Sequence, residues 1–206
     1  MIRLILVRHG NTFEAGQTPT QVGARTDLPL TAQGRVQAQA MAQYLKGERL
    51  AAVYSGPLKR QRETAQALGK PIQLSAALNE IDYGPWEGLA TEEIAQRWPR
   101  EYTDWTTRAT WANGIFGGAE ETCLRGLEQW LAALRTTHVP GDLVIGVTSN
   151  GLIRLFYSFL KEDWARLVQK RLMETLKVKT GHFCELLLLP DSLEVKCWNA
   201  KPMQAS

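Results

Sequence analysis

An arginine and a histidine stand side by side at the end of an apolar run. They are Arg8 and His9, and Gly10, Asn11 and Thr12 follow them. Arginine offers a permanent planar cation with a fork of donors. Histidine offers an imidazole whose lone pair is available near neutral pH. Gly10 lets the backbone turn sharply and lets a ligand come close. Asn11 and Thr12 add donors that an oxyanion can use. These residue types together suit an anion, a phosphate above all. The competing reading is a surface loop that happens to carry adjacent Arg and His.

The elements that must position these groups alternate along the chain. Ile2-Arg3-Leu4-Ile5-Leu6-Val7 has the length and branching of a buried parallel strand. Ligands of open α/β sheets bind just beyond the carboxyl ends of such strands. A polar stretch from Asn11 to Pro29 follows. Thr31 reads as an N-cap for a helix running to about Lys46. Leu50–Tyr54 reads as a strand, Pro57–Leu68 as a helix and Pro71–Leu74 as a short strand. Asp142–Thr148 is a buried strand, with a helix over Gly151–Leu160 after it. Phe183–Leu189 and Leu193–Trp198 flank Pro190-Asp191-Ser192 as an edge hairpin. This order predicts a three-layer α/β/α sandwich with a mostly parallel central sheet. Residues 84–118 break the rhythm and hold Trp86, Trp98, Trp105 and Trp111. They read as a small helical cap inserted in a single domain spanning residues 1–206. The aromatics pack that cap down, and it shapes the pocket as well.

Composition narrows the function. The chain has 206 residues, 44% of them hydrophobic and 22% charged, which is globular rather than disordered. A formal net charge of +3 is too small to argue for nucleic acid and is compatible with a small acidic substrate. Cys123, Cys184 and Cys197 form neither a CxxC pair nor an even set, so no disulfide framework or zinc site is implied. No apolar stretch approaches the roughly 20 residues of a membrane span. The amino terminus turns polar too soon for a signal peptide. The expectation is a cytoplasmic protein acting without metal or cofactor, its oligomeric state unreadable.

Three further segments lie near strand ends and so converge on the rim that carries His9. They are Ser55 to Ala65, Leu78 to Gly88, and Thr148-Ser149-Asn150-Gly151. With Arg8-His9-Gly10 and Asp27-Leu28-Pro29-Leu30-Thr31, they make the chain resemble the histidine phosphatase superfamily, the phosphoglycerate-mutase-like proteins. The resemblance covers most of the chain. It implies that His9 attacks phosphorus and becomes a phosphohistidine, which water then hydrolyses. An imidazole suits this because it is nucleophilic when neutral and leaves readily when protonated. Arg8 and Arg60 match the family's phosphate-binding arginines, whose forks stabilise charge in the transition state. Arg60 also reads as a solvated helix residue, with Arg62 as an accessory contact. Its four-residue offset before Thr64 fits the family pattern and favours Arg60. Glu80 matches the general acid, a role that needs a carboxyl held protonated by burial or negative neighbours. Its rival Glu87, in Trp86-Glu87-Gly88, reads as structural. Asn11, Thr12 and Gly151 match phosphate-contacting positions. Arg25 reads equally as a substrate contact or a salt-bridge partner.

The chain departs from the family at one place. A second catalytic histidine is usual in a Ser-His-Gly context, and here the sequence is Ser149-Asn150-Gly151. An amide gives a neutral hydrogen bond to a phosphoryl oxygen, about half as strong as the charge-assisted bond of an imidazolium. Losing a whole oxyanion donor costs about 10²–10³ in rate. Asn150 keeps a donor, so the expected loss is smaller. His138 and His182 read as structural. The leading function is therefore hydrolysis of a small phosphomonoester. The alternatives are a degenerate phospho-ligand-binding protein and, third, a mutase.

Overall fold

A computed structural model describes residues 1–203. Six strands form one sheet: β1 (Ile2–Arg8), β2 (Leu50–Ser55), β3 (Ile72–Leu74), β4 (Leu143–Thr148), β5 (Phe183–Leu188) and β6 (Leu193–Ala200). Their order is β3-β2-β4-β1-β5-β6. The first four are mutually parallel, and at one side β5 runs antiparallel to both β1 and β6. β4 is buried along its whole length and β1 nearly so, because both sheet faces are covered. The side chains of β1 alternate: Leu4 and Leu6 join one core, Ile5 and Val7 the other.

Helices α1 (Ala32–Tyr44) and α2 (Lys59–Gln66) cover the second face through Met41 and Ala65. The first face is covered by α5 (Glu120–Thr137) and α6 (Asn150–Leu155). Helix α5 adds to the elements expected from sequence. Its signal is the spacing of Leu127, Trp130, Leu131 and Leu134, all buried on one stripe. The short α7 (Trp164–Gln169) is a second addition. The helix expected to run to Leu160 instead tightens after Leu155 into a 3-10 turn over Phe156–Phe159. It stops there because Leu160 turns extended and bridges to Leu193.

Residues 84–118 carry α3 (Thr91–Arg97) and α4 (Pro99–Arg108). Trp86, Trp105, Trp111 and Phe116 are buried in one aromatic cluster with Tyr83. That cluster is continuous with the core beneath the sheet, so the segment has no separate core of its own.

The turn after β1 is held by close backbone packing. A Cβ on Gly10 would lie 2.3 Å from the Gly34 carbonyl oxygen, and one on Gly34 would lie 2.2 Å from that of Asn11. Thr31 fixes the same contact: its hydroxyl accepts from Gly34 N at 3.0 Å, and its N–H donates to the Asn11 carbonyl at 2.9 Å. Alanine is better than glycine in a helix by about 1 kcal/mol, yet overpacking costs about 1–3 kcal/mol. Gly34→Ala is therefore expected to lower the thermal midpoint by several degrees in a calorimetric scan. An unchanged or raised midpoint would mean that the turn after β1 can shift freely.

Candidate active site

The site lies at the carboxyl ends of β1, β2 and β4. His9 follows β1, and its backbone N–H donates to the Thr148 carbonyl at 3.0 Å, extending the parallel ladder. Its ring is buried. Nδ1 lies 2.8 Å from the Gly10 carbonyl oxygen, which can only accept, so Nδ1 carries the proton. The Nε2 lone pair is thereby left to accept a hydrogen bond. Burial, then Arg60 and Arg8, push the imidazole pKa well below its ordinary value, so the ring is neutral at neutral pH.

Arg60, the second residue of α2, is completely buried. Its Nε donates to His9 Nε2 at 3.2 Å, and its other nitrogens donate to the Thr26 and Gly23 carbonyls at 2.7 and 3.1 Å. Thr64 accounts for the four-residue offset: its hydroxyl donates to the Arg60 carbonyl and accepts from Gly10 N. Arg62 is exposed on the other side of α2. Arg8 reaches the Val178 carbonyl with Nη1 at 2.6 Å, while its buried Nε has no partner. Burial pushes its pKa down to about 10, so it stays charged.

Glu80 is buried beside these cations. Its Oε1 accepts from Ile81 N at 2.9 Å and Leu152 N at 3.1 Å, and its Oε2 from Gly151 N at 3.3 Å. Burial raises its pKa, against the opposing pull of the Ile81 N–H, Arg60, the Gly151 N–H and Arg8. Gln61 fixes the approach to Glu80. Its amide donates to the Leu78 carbonyl at 3.1 Å and to Ser149 Oγ at 2.9 Å, while Thr148 Oγ1 donates to the same carbonyl at 2.7 Å.

The remaining expected residues divide. Asn150 opens α6 and lines the same cavity as Arg8 and His9. Its Oδ1 accepts from Val178 N at 2.8 Å, which turns the NH₂ half of the amide toward the cavity. Asn11 and Thr12 line the cavity too. The Asn11 side chain is spent on its own turn, donating to the Phe13 carbonyl at 2.8 Å and accepting from Thr12 N at 3.1 Å. Gly151 is corrected as a phosphate donor, because its N–H is given to Glu80. A Cβ there would meet the Tyr83 hydroxyl at 2.0 Å, so this glycine makes room for Tyr83 and Glu80. Arg25 pairs with Asp82 at 2.8 Å. Glu87 accepts from Thr26 Oγ1 at 2.7 Å, tying the loop after β1 to the segment before α3. His138 lies 3.2 Å from the Tyr54 hydroxyl and His182 Nδ1 2.9 Å from the Asn199 carbonyl, both outside the cavity lining.

The cavity holds about 670 Å³. Its wall includes residues that sequence reasoning missed: Arg154, Tyr83, and the Thr175–Thr180 stretch with Lys177 and Lys179. Arg154 sits four residues after Asn150, one helical turn on, so the spacing carried a signal. Among the described residues, Glu80 is the one carboxylate that lines this cavity.

Similarities to known proteins bear on this arrangement. The model of the histidine phosphatase superfamily (branch 1) matches residues 4–201. Phosphoglycerate mutase-like protein 4 of Arabidopsis thaliana is 30% identical over 187 residues, which is 85% of this chain and 77% of that protein. Phosphoserine phosphatase 1 of Hydrogenobacter thermophilus is 34% identical over 110 residues, so the match spans about half of each chain, 51% in both. The solved structure of mycobacterial glucosyl-3-phosphoglycerate phosphatase complexed with VO₃ superposes with a TM-score of 0.80 at 25% identity, covering 96% of this chain and 98% of that one.

The excess of buried positive charge gives a direct expectation. A ligand that binds only the folded form stabilises it by about 2.7 kcal/mol at a hundredfold excess over its Kd. Inorganic phosphate is expected to raise the thermal midpoint in a saturable way. Chloride at equal ionic strength is expected not to. Equal responses to the two salts would mean that the cations do not form an anion site.

Proposed function

The chain belongs to the histidine phosphatase superfamily (branch 1), and on that premise we propose that it hydrolyses a small phosphomonoester through a phosphohistidine at His9. One observation carries the proposal. His9 lines the cavity with an unprotonated Nε2 that accepts from the Arg60 guanidinium, its tautomer held by the Gly10 carbonyl. The names of the relatives, a phosphoserine phosphatase and a glucosyl-3-phosphoglycerate phosphatase among them, support the reaction class.

In this proposal Nε2 attacks phosphorus and the bond to the substrate oxygen breaks. Protonated Glu80 gives its proton to the departing alkoxide. Arg8 and Arg60 hold the non-bridging oxygens as charge spreads over them. The imidazole becomes a phosphorylated cation, which is a good leaving group. A water molecule then attacks phosphorus, passes its proton to the Glu80 carboxylate, and the nitrogen–phosphorus bond breaks. No metal or cofactor enters these steps.

The opposed pKa shifts fit these roles. A lowered His9 and a raised Glu80 both move the site toward the state in which the imidazole is neutral while the carboxyl is protonated. Activity falls at low pH as His9 takes a proton, and at high pH as Glu80 loses one. With p-nitrophenyl phosphate, kcat/KM is expected to be bell-shaped and to peak on the acid side of neutrality. His9→Ala is expected to abolish turnover. Full activity in His9→Ala, or a rate that rises steadily into the alkaline range, would contradict the assignment.

Asn150 motivates a second reading, in which the site binds a phosphorylated ligand without turning it over. Its amide is held by Val178 N rather than free. Asn150→His discriminates between the two. A gain of about 10²-fold or more in kcat, the value of one oxyanion donor, favours a degenerate site. A change within severalfold means that the site works with an amide.

A further inference from the structure

Ser149 stands at the N-cap of α6 with extended backbone, yet its hydroxyl caps nothing. A serine in this place ordinarily accepts from the N–H of the second or third helical residue. Thr31 does so for Gly34 at the start of α1, and Asp163 does so for Arg166 at the start of α7. In α6 the corresponding N–H groups are those of Gly151 and Leu152. Both are given to the Glu80 carboxyl, at 3.3 and 3.1 Å. A side chain distant in sequence thus holds the bonds that the local serine is suited to take.

Gln61 accounts for the exchange. It is completely buried. Its amide is oriented from both ends: Oε1 accepts from Leu58 N at 3.2 Å, and Nε2 donates to the Leu78 carbonyl at 3.1 Å. Nε2 also donates to Ser149 Oγ at 2.9 Å, which ties that hydroxyl to α2 instead of to its own helix. A Cβ on Gly56 would lie 2.1 Å from Gln61 Oε1 and 2.3 Å from the Leu78 carbonyl oxygen, so this glycine makes the space in which the amide sits. Gln61 follows Arg60, Leu78 lies two residues before Glu80, and Ser149 precedes Asn150. One buried amide therefore joins α2, the segment of Glu80 and the start of α6.

We propose that Gln61 is a positioning residue for Glu80: by holding the Ser149 hydroxyl it keeps Ser149 from capping α6 and reserves the N–H groups of Gly151 and Leu152 for the carboxyl. Of the two carboxyl oxygens, Oε1 takes the two shorter bonds, from Ile81 N and Leu152 N, which leaves Oε2 to carry the proton. Without the Gln61 amide, Ser149 Oγ turns back to its own helix and competes for both N–H groups. The carboxyl then loses donors that favour its charged form, and its orientation loosens. Arg8, Arg60, Arg154, Tyr83 and Cys123 also act on Glu80 or feel its charge, and a substitution at position 61 changes none of them. The direction of the effect follows. Glu80 keeps its proton to higher pH but presents it less well.

The consequence for turnover rests on the phosphatase reading, and the geometry is tested without it. In amide NMR of the wild-type chain, the Gly151 and Leu152 resonances are expected to share one titration that disappears in Glu80→Gln. Gln61→Met keeps the length of the side chain and removes its donors, and there the shared titration is expected to be lost. In the double variant Gln61→Met/Ser149→Ala, which has no hydroxyl to compete, it is expected to return. Turnover is read with the fastest substrate of an alkyl phosphate panel, whose leaving group needs a proton. Gln61→Met is expected to lower kcat by about 10-fold or more, part of the 10²–10⁴-fold that a positioned acid supplies, and to leave KM within about twofold. Its alkaline limb moves to higher pH, and the double variant recovers most of the loss. A merely structural Gln61 would lower kcat in step with the fraction folded, and adding Ser149→Ala would deepen the loss. That result would overturn the proposal. So would Gly151 and Leu152 amides that ignore Glu80 in the wild-type chain or still follow it in Gln61→Met. Gln61→Asn, one methylene short of both acceptors, is read in the same way, so the test does not depend on Gln61→Met folding. Absence of turnover in the wild-type chain would count against the phosphatase reading and leave the amide titration to decide.

Discussion

Positive charge held out of water without enough negative charge beside it is the constraint on which this structure turns. Arg8, Arg60 and Arg154 gather round Glu80, with Asp27 and Glu87 acting on Arg60 from behind, and burial works against the charged form of the three arginines and of Glu80. Desolvation of this kind costs several kcal/mol per ion when nothing compensates it. Backbone carbonyls of Gly23, Thr26, Trp105 and Val178 take up some of the guanidinium donors, but carbonyls bring dipoles rather than charge. In the proposed reaction a tetrahedral dianion brings the missing charge. The same field disfavours a proton on His9 and so keeps its nucleophilic lone pair. In the proposed reaction, anion affinity and nucleophile activation have this one electrostatic origin.

The fold makes that crowding possible. Parallel strands end together, so β1, β2 and β4 deliver their following residues to one rim. The turn carrying His9 is then clamped from two sides. The Gly10–Gly34 approach presses it against the start of α1, and Thr64 joins it to α2. Glu80 has no helix or strand of its own, and Gln61, Thr148 and three backbone N–H groups hold the chain around it in place. These clamps act on a frame made firm by extensive cores on both sheet faces.

Much of this was legible in the sequence, for identifiable reasons. The apolar run of β1, the cap at Thr31 and the buried run of β4 are local signals, and each matched an element of the expected α/β sandwich. Arg8, His9, Arg60, Glu80 and Asn150 could be named because they follow such elements within a known family's motifs. What escaped reading depends on contacts distant in sequence. Arg154 looks like an interruption in the apolar stretch Leu152-Ile153-Arg154-Leu155, and only the docking of α6 beside α4 makes it a cavity wall. Gly151 looked like a phosphate contact, while its observed task is to make room for the Tyr83 hydroxyl, which arrives from another segment. The role of the Thr175–Thr180 stretch rests on Val178, whose backbone meets Arg8 and Asn150, and nothing in its composition announces that. The tryptophans of residues 84–118 signalled a cap packed on the main domain, and their cluster is continuous with its core.

The whole account depends on an unprotonated ring nitrogen at the cavity wall that can bond to phosphorus. The decisive measurement is mass spectrometry of the protein quenched in alkali during turnover, conditions that preserve a phosphoramidate. A single phosphoryl group on the Nε2 atom of residue 9 is the predicted result. Steady product release with that histidine unmodified, or with the phosphoryl group on another side chain, would contradict it.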